Sequence, residues 1–181
     1  MKVIRLNTAT KLCPLELTDV PDIYQAIDSQ RDYLRQFLPF VDRTRCFDDT
    51  RLFVRSSVLI AEERGEYTFV IRHEDKFAGI IGFKDLDKEN KKTEIGYWLC
   101  EQYQHLGIMT SAVKALCRLA FKEMRLNRVQ IKCAIKNTRS KCIPLRLGFT
   151  YEGIERQGEL AYNGTFTDLN IYSLLKSDKN K

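Results

Sequence analysis

The 181 residues carry 30 Lys and Arg against 24 Asp and Glu, a formal charge of +6, with 44% hydrophobic residues, 30% charged residues, nine Gly and four Pro. This is the makeup of one ordinary globular domain, residues 1–181, with enough chain to bury a core unaided; it excludes fibrous, low-complexity and disordered classes. The positive balance favours anionic partners, but Lys and Arg are scattered and no basic stretch is interleaved with aromatics, so direct nucleic-acid binding is not expected.

In chain order, residues 11–17 read as a short strand. Thr18-Asp-Val-Pro21 then reads as a helix start, with Ile23, Ala26 and Ile27 as its apolar face. Asp48-Asp-Thr opens a second helix running to about Arg64, in which Leu52, Phe53, Ser56, Leu59 and Ile60 recur at helical spacing; Gly65 stops it. Between these helices Tyr33, Leu34, Phe37 and Phe40 are spaced to suit either core or a pocket wall. The period then changes. Residues 67–72, 77–84 and 93–99 are β-rich runs divided by HEDK and by the mixed-charge stretch Asp85 to Lys92, which predicts an antiparallel meander with solvated turns.

Met109, Ala112, Val113, Leu116, Leu119 and Ala120 mark the stripe of a helix ending near Met124. A strand over 128–135 follows, with Val129, Ile131, Cys133 and Ile135 on one face, which makes Cys133 a small core residue. Residues 137–147 predict a short helix closed by Gly148, started late or kinked because Pro144 lacks a donor. Strands over 149–155 and 166–175 finish the chain. The run 93–135 forms a β-α-β unit, expected to be parallel and right-handed.

The six cysteines, at 13, 46, 100, 117, 133 and 142, include no Cys-x-x-Cys pair, and MKVIRLNTAT lacks the apolar run of a leader. A reducing, cytoplasmic setting is the simpler reading. No apolar run nears the roughly 18 residues that span a bilayer, so no membrane association is expected. His73 and His105 are expected at the surface, and two histidines with scattered cysteines give no metal spacing.

The segment "QHLGIMT", Gln104 to Thr110, joins a strand to a helix through the single glycine Gly107. A helix starting straight after a strand presents unpaired N–H groups and its positive dipole end to an anion. Taken alone, such a turn reads first as a plain connection.

Its surroundings decide. With "TEIGYWL" before it and "NTRSKCIPLRLGF" and "DLNIYSLL" after it, nearly the whole chain resembles the GNAT acetyltransferases, and within them the RimJ/RimL branch. The acetyl-CoA signature of that family, Gln/Arg-x-x-Gly-x-Gly/Ala, falls on Gln104, Gly107 and Met109, with Met109 replacing the usual small residue. The resemblance implies an α/β fold with a mixed, mostly antiparallel central sheet flanked by helices, in which the strand over 93–99 splays from its parallel neighbour. It also implies an acetyl-CoA-dependent N-acetyltransferase. The amine it points to is the N-terminal α-amine of an acidic ribosomal protein, and a homodimer is compatible with it.

Carried over residue by residue, the resemblance places acetyl-CoA on Trp98, Leu99 and Cys100 through their backbone, on Gln104, His105, Leu106, Gly107, Ile108, Met109 and Thr110 through amides facing the diphosphate, and on Asn137. Ser140 would sit near the sulfur, where a serine hydroxyl, a poor acid, serves as a hydrogen-bond donor to the thiolate; it is equally placed to be a helix cap. Two carboxylates qualify as base or amine-orienting group. Glu94 shares a strand face with Gly96 and Trp98 but is equally suited to a salt bridge with a nearby Lys. Glu159, in "RQGELAYNG", is read as a loop carboxylate or an exposed charge. The acceptor is expected between residues 30–50 and the loop around Glu159. Alternatives are a polyamine or amino-sugar acetyltransferase, the former disfavoured by Arg43-Thr-Arg45, and a non-catalytic acyl-CoA-binding module.

Overall fold

Alternating runs, as in residues 128–134, and apolar runs buried on both faces, as in residues 78–83, build eight strands into one sheet in the computed structural model, which describes residues 1–180. The strands are β1 (Ile4–Arg5), β2 (Thr10–Pro14), β3 (Thr68–His73), β4 (Lys76–Asp87), β5 (Lys92–Leu99), β6 (Arg128–Ala134), β7 (Thr150–Leu160) and β8 (Phe166–Leu175). Their spatial order is β1-β2-β3-β4-β5-β6-β8-β7, and every neighbouring pair is antiparallel except β5 and β6.

That parallel pair holds the centre of the molecule open. Thr93 pairs with Val129 and Glu94 with Gln130, and there the pairing ends, although β5 runs on to Leu99 and β6 to Ala134. Each strand keeps its other neighbour, β4 for β5 and β8 for β6, so the two halves of the sheet diverge as a wedge. The splay and the mixed sheet agree with the expected fold.

Helices cover both faces. Helices α4 (Ile108–Lys122) and α5 (Thr138–Arg146) pack on one, where Ala112, Val113, Leu116 and Ala120 meet Phe69, Ile71, Ile81, Ile95, Val129 and Ile131. On the other, α1 (Val20–Asp28), α2 (Arg31–Leu34) and α3 (Phe47–Arg64) supply Ile23, Ile27, Leu34 and Val54 against Val70, Ile80 and Trp98. The expected stripe of α4 is buried throughout.

Several boundaries differ from expectation. The first strand stops at Pro14, and Thr18 caps nothing: a 3-10 turn over Leu17–Asp19 opens with a reciprocal Glu16–Asp19 capping box, and Asp19 is buried under Arg72 Nη2 at 2.6 Å. Helix α3 starts one residue early and turns the other way. Thr50 and Val54 are buried, whereas Leu52 is 60% exposed and Leu59 47%, because small and β-branched side chains suit the close approach to α1. The charged stretch after Lys84 is partly strand, since β4 runs to Asp87 through a bulge with Asp85 at φ 53°. Helix α5 begins promptly at Thr138, the Asn137 cap offsetting Pro144, which lies inside the helix. Strand β1, helix α2 and the 3-10 turn over Pro39–Asp42 had no legible pattern.

Candidate active site

The wedge between β5 and β6 opens into two cavities that share the Phe37 side chain as a wall. The first, about 580 Å³, is bounded by Tyr97, Trp98 and Leu99 of β5, by the turn and first residues of α4, and by Asn137 to Ile143 at the start of α5. The second, about 380 Å³, lies between residues 35–39 and the β7–β8 hairpin around Glu159, with Ala134 to Lys136 as its floor.

The turn before α4 has the conformation an anion site needs. Gly107 adopts φ 70° and His105 φ 62°, the left-handed region; a side chain on Gly107 would meet nothing within 4 Å, so the backbone is open to a ligand there. Ser111 N–H makes the first helical bond, to the Gly107 carbonyl at 3.1 Å, and no side chain caps the helix, which leaves the amides of Ile108, Met109 and Thr110 available. Met109 is buried in the core cluster while lining the cavity, so a large residue is accommodated at the signature position. Uncapped donors, an open glycine and a long cavity together fit the diphosphate and pantetheine of acetyl-CoA.

Two of the expected contacts are already engaged. The Gln104 N–H bonds the Glu101 carbonyl at 3.1 Å and its side-chain amide donates to the Tyr33 hydroxyl. The Cys100 N–H bonds the Ala78 carbonyl at 2.8 Å. Strand alternation then turns the polar groups of Leu99, not those of Trp98 or Cys100, toward the wedge, and the Tyr33 hydroxyl donates to the Leu99 carbonyl there at 3.3 Å. Burial lifts the Tyr33 phenol above its ordinary value, its Gln104 bond pulling the other way.

At α5, Asn137 Oδ1 accepts the Ser140 N–H at 3.0 Å, so Asn137 is the cap and Ser140 is not. The Ser140 hydroxyl is free of that duty and lies 2.9 Å from the Tyr97 hydroxyl. Tyr97 was not singled out from the sequence, and Tyr33 only as one of the residues suited to core or a pocket wall; Tyr33, Leu34 and Phe37 do line the first cavity. For Tyr97 a signal existed, since strand alternation puts it with Ile95 and Leu99 on the face that α5 covers; for Tyr33 there was none beyond its aromatic spacing. Cys133 is buried as expected, and its thiol is pushed up by burial.

The carboxylates part company. Glu94, 5% exposed, lines neither cavity: its oxygens receive Lys84 Nζ at 2.8 Å and Gln130 Nε2 at 3.3 Å, with Lys132 Nζ at 3.9 Å. Glu159 lies in β7 rather than in a loop. A bulge between Glu155 and Glu159, with Gln157 at φ 52°, carries the strand on to Leu160 and sets Glu159, half-buried, in the wall of the second cavity. Burial pushes its carboxyl above the usual carboxylate range, with Lys84 pulling it down and the Glu94 charge pushing it up.

His105 is exposed beside the first cavity; His73 is half-buried at the end of β3, its Nδ1 2.8 Å from the Thr10 hydroxyl. Among the described residues no group of three His, Cys, Asp or Glu side chains is placed to hold a metal ion, and no helix is long and apolar enough to cross a membrane. The six cysteines are free thiols.

Comparison with known proteins gives a consistent result. The family described as "Acetyltransferase (GNAT) domain" matches residues 10–150. The ribosomal-protein-serine acetyltransferase of Escherichia coli (strain K12) is 32% identical over 95% of this chain and 96% of its own. The putative ribosomal N-acetyltransferase YdaF of Bacillus subtilis (strain 168) is 32% identical over 98% of this chain and 97% of its own. A solved structure of RimL, the ribosomal L7/L12 alpha-N-protein acetyltransferase, in complex with coenzyme A superposes with a TM-score of 0.91 at 29% identity, covering 96% of this chain and 97% of that one.

Proposed function

The chain belongs to the GNAT acetyltransferases, enzymes that move an acetyl group from acetyl-CoA to an amine, and from that premise we propose that its acceptor is the N-terminal α-amine of an acidic ribosomal protein in the cytoplasm. The second cavity carries this reading. Its charged lining sets Glu159 and Asp168 against Arg35 and Lys136. A polyamine pocket needs carboxylates in excess, whereas one ammonium followed by peptide amides suits a balanced lining. The chain's net positive charge favours an acidic protein. Relatives named for a ribosomal protein support the same class of acceptor.

Acetyl-CoA supplies the activated acyl carbon and a thiolate leaving group. The amides at the start of α4 hold its diphosphate, and the Leu99 backbone and Asn137 Nδ2 face its pantetheine arm. An α-amine near pKa 8 is about one-tenth neutral at pH 7, while lysine near 10.4 is almost wholly charged, so a carboxylate suffices as base. Through a water molecule, Glu159, raised by burial, takes the one proton that the attacking nitrogen sheds. Glu94 lines no cavity and acts on Glu159 through its charge. The Ser140 hydroxyl steadies the departing sulfur by a hydrogen bond.

Labelled acetyl-CoA offered separately with the ribosomal stalk protein, spermidine and an aminoglycoside tests the assignment. Label is expected on the protein's first residue, and none on protein already blocked at that amine. Label confined to a small molecule overturns it.

A further inference from the structure

Alternation along β5 sends Ile95, Tyr97 and Leu99 to the face covered by α4 and α5. Tyr97 reaches across to the first turn of α5, its hydroxyl 2.9 Å from Ser140 Oγ and 3.4 Å from the Ser140 carbonyl oxygen. Two hydroxyls at that distance share one proton, and their chemistry decides which donates. A phenol is far more acidic than an aliphatic alcohol and is the better donor. The carbonyl beside Ser140 Oγ accepts only, so the Tyr97 proton has two acceptors on that side. Burial holds the phenol well above its ordinary value, so it stays protonated and does not serve as an acid.

With Tyr97 donating, the proton of Ser140 must leave in another direction. The Ser140 N–H is tied to Asn137 Oδ1 at 3.0 Å, which fixes the residue in the first turn. The Cys133 thiol, also against Ser140, is a weak acceptor. The open side is the first cavity, which Tyr97 and Ser140 both line. We infer that Tyr97 is a positioning residue: it donates to Ser140 Oγ and thereby aims the Ser140 proton into the acetyl-CoA cavity. The inference rests on the proposed role of Ser140. The amine attacks in its neutral form: as its nitrogen bonds the acyl carbon and the C–S bond breaks, the electron pair goes to sulfur, where the aimed O–H meets it, the one proton then shed by the nitrogen goes to Glu159, and none leaves Tyr97.

Four proteins test this: the parent, Tyr97→Phe, Ser140→Ala and the double variant, each with thermal melting, CoA calorimetry, and kcat and KM at saturating amine. Ser140→Ala is expected to lower kcat about 100-fold. Tyr97→Phe is expected to lower kcat about 3- to 10-fold, the size of one neutral hydrogen bond, with CoA affinity and KM for acetyl-CoA unchanged. In the Ser140→Ala background the same change is expected to do nothing. If Ser140→Ala turns over at the parent rate, the role of Ser140 falls and the inference with it. A slow Ser140→Ala beside an unaffected Tyr97→Phe overturns the inference alone. So does an equal loss in both backgrounds, or a loss of CoA affinity, either of which makes the phenol structural.

Discussion

The two cavities that meet at Phe37 are built from different materials. On the α4–α5 side the amides after Gly107 and the Leu99 backbone stand beside polar side chains such as Asn137 and Ser140, and the formal charge is of one sign only, from Arg139 and Arg146, which suits an anionic cosubstrate. On the hairpin side the charged side chains are of both signs, Arg35 and Lys136 from connecting segments and Glu159 and Asp168 from the paired strands β7 and β8. One cosubstrate, always the same, can be held by backbone geometry; choosing among amines takes charge and shape that side chains provide. The division teaches where changes act: backbone conformation on the donor side, individual side chains on the acceptor side.

Glu159→Gln makes the largest break. It is expected to lower kcat about 100-fold or more while leaving CoA affinity unchanged by calorimetry. In the parent, kcat/KM falls as pH drops through the raised Glu159 value, because the base must be ionised. The variant lacks that limb and keeps only the one belonging to the amine near pH 8. A matching loss of CoA affinity would mean the two cavities are not separable.

Gly107→Val tests the other side. A β-branched residue at φ 70° is strained by about 1–2 kcal/mol even though space is free, so CoA binding is expected to weaken roughly 10-fold with the KM for the amine unchanged.

The smallest effect is structural and sharpens the contrast further. Arg128 grips Glu152, Nη1 to Oε1 at 2.6 Å, and Ser173 Oγ donates to the same oxygen at 2.7 Å, pinning β7 to β6 and β8. Chiefly through Arg128, the Glu152 carboxyl falls from 4.5 to about 2. A depressed folded value stabilises above the unfolded one and is lost as pH falls from about 4.5 toward 2. Glu152 is partly exposed, so screening reduces the contribution to about 1 kcal/mol, and Glu152→Gln is expected to lower Tm by about 2–4 °C at pH 7. The difference should vanish near pH 2, and CoA affinity should not move.

Periodicity alone located most of the sheet and the whole buried stripe of α4, because long alternating or helical patterns record which face meets a core. It misread α3, where apolar residues occur on both sides and only packing against α1 selects Thr50 and Val54. It placed Glu159 in a loop, because the bulge that carries β7 onward depends on pairing with β8 and leaves no mark on local composition.

The amino-acid order determined an anion-ready junction at Gly107 and a candidate hydroxyl at Ser140, each a property of a few consecutive residues, but offered Ser140 as the helix cap where the structure uses Asn137. Only the tertiary structure decided that Glu94 lies buried among Lys84, Gln130 and Lys132, that Glu159 faces a cavity, and that Tyr97 stands behind Ser140. Those are distances between residues far apart in the chain. They are fixed by where β5 and β6 stop pairing, which no local pattern encodes.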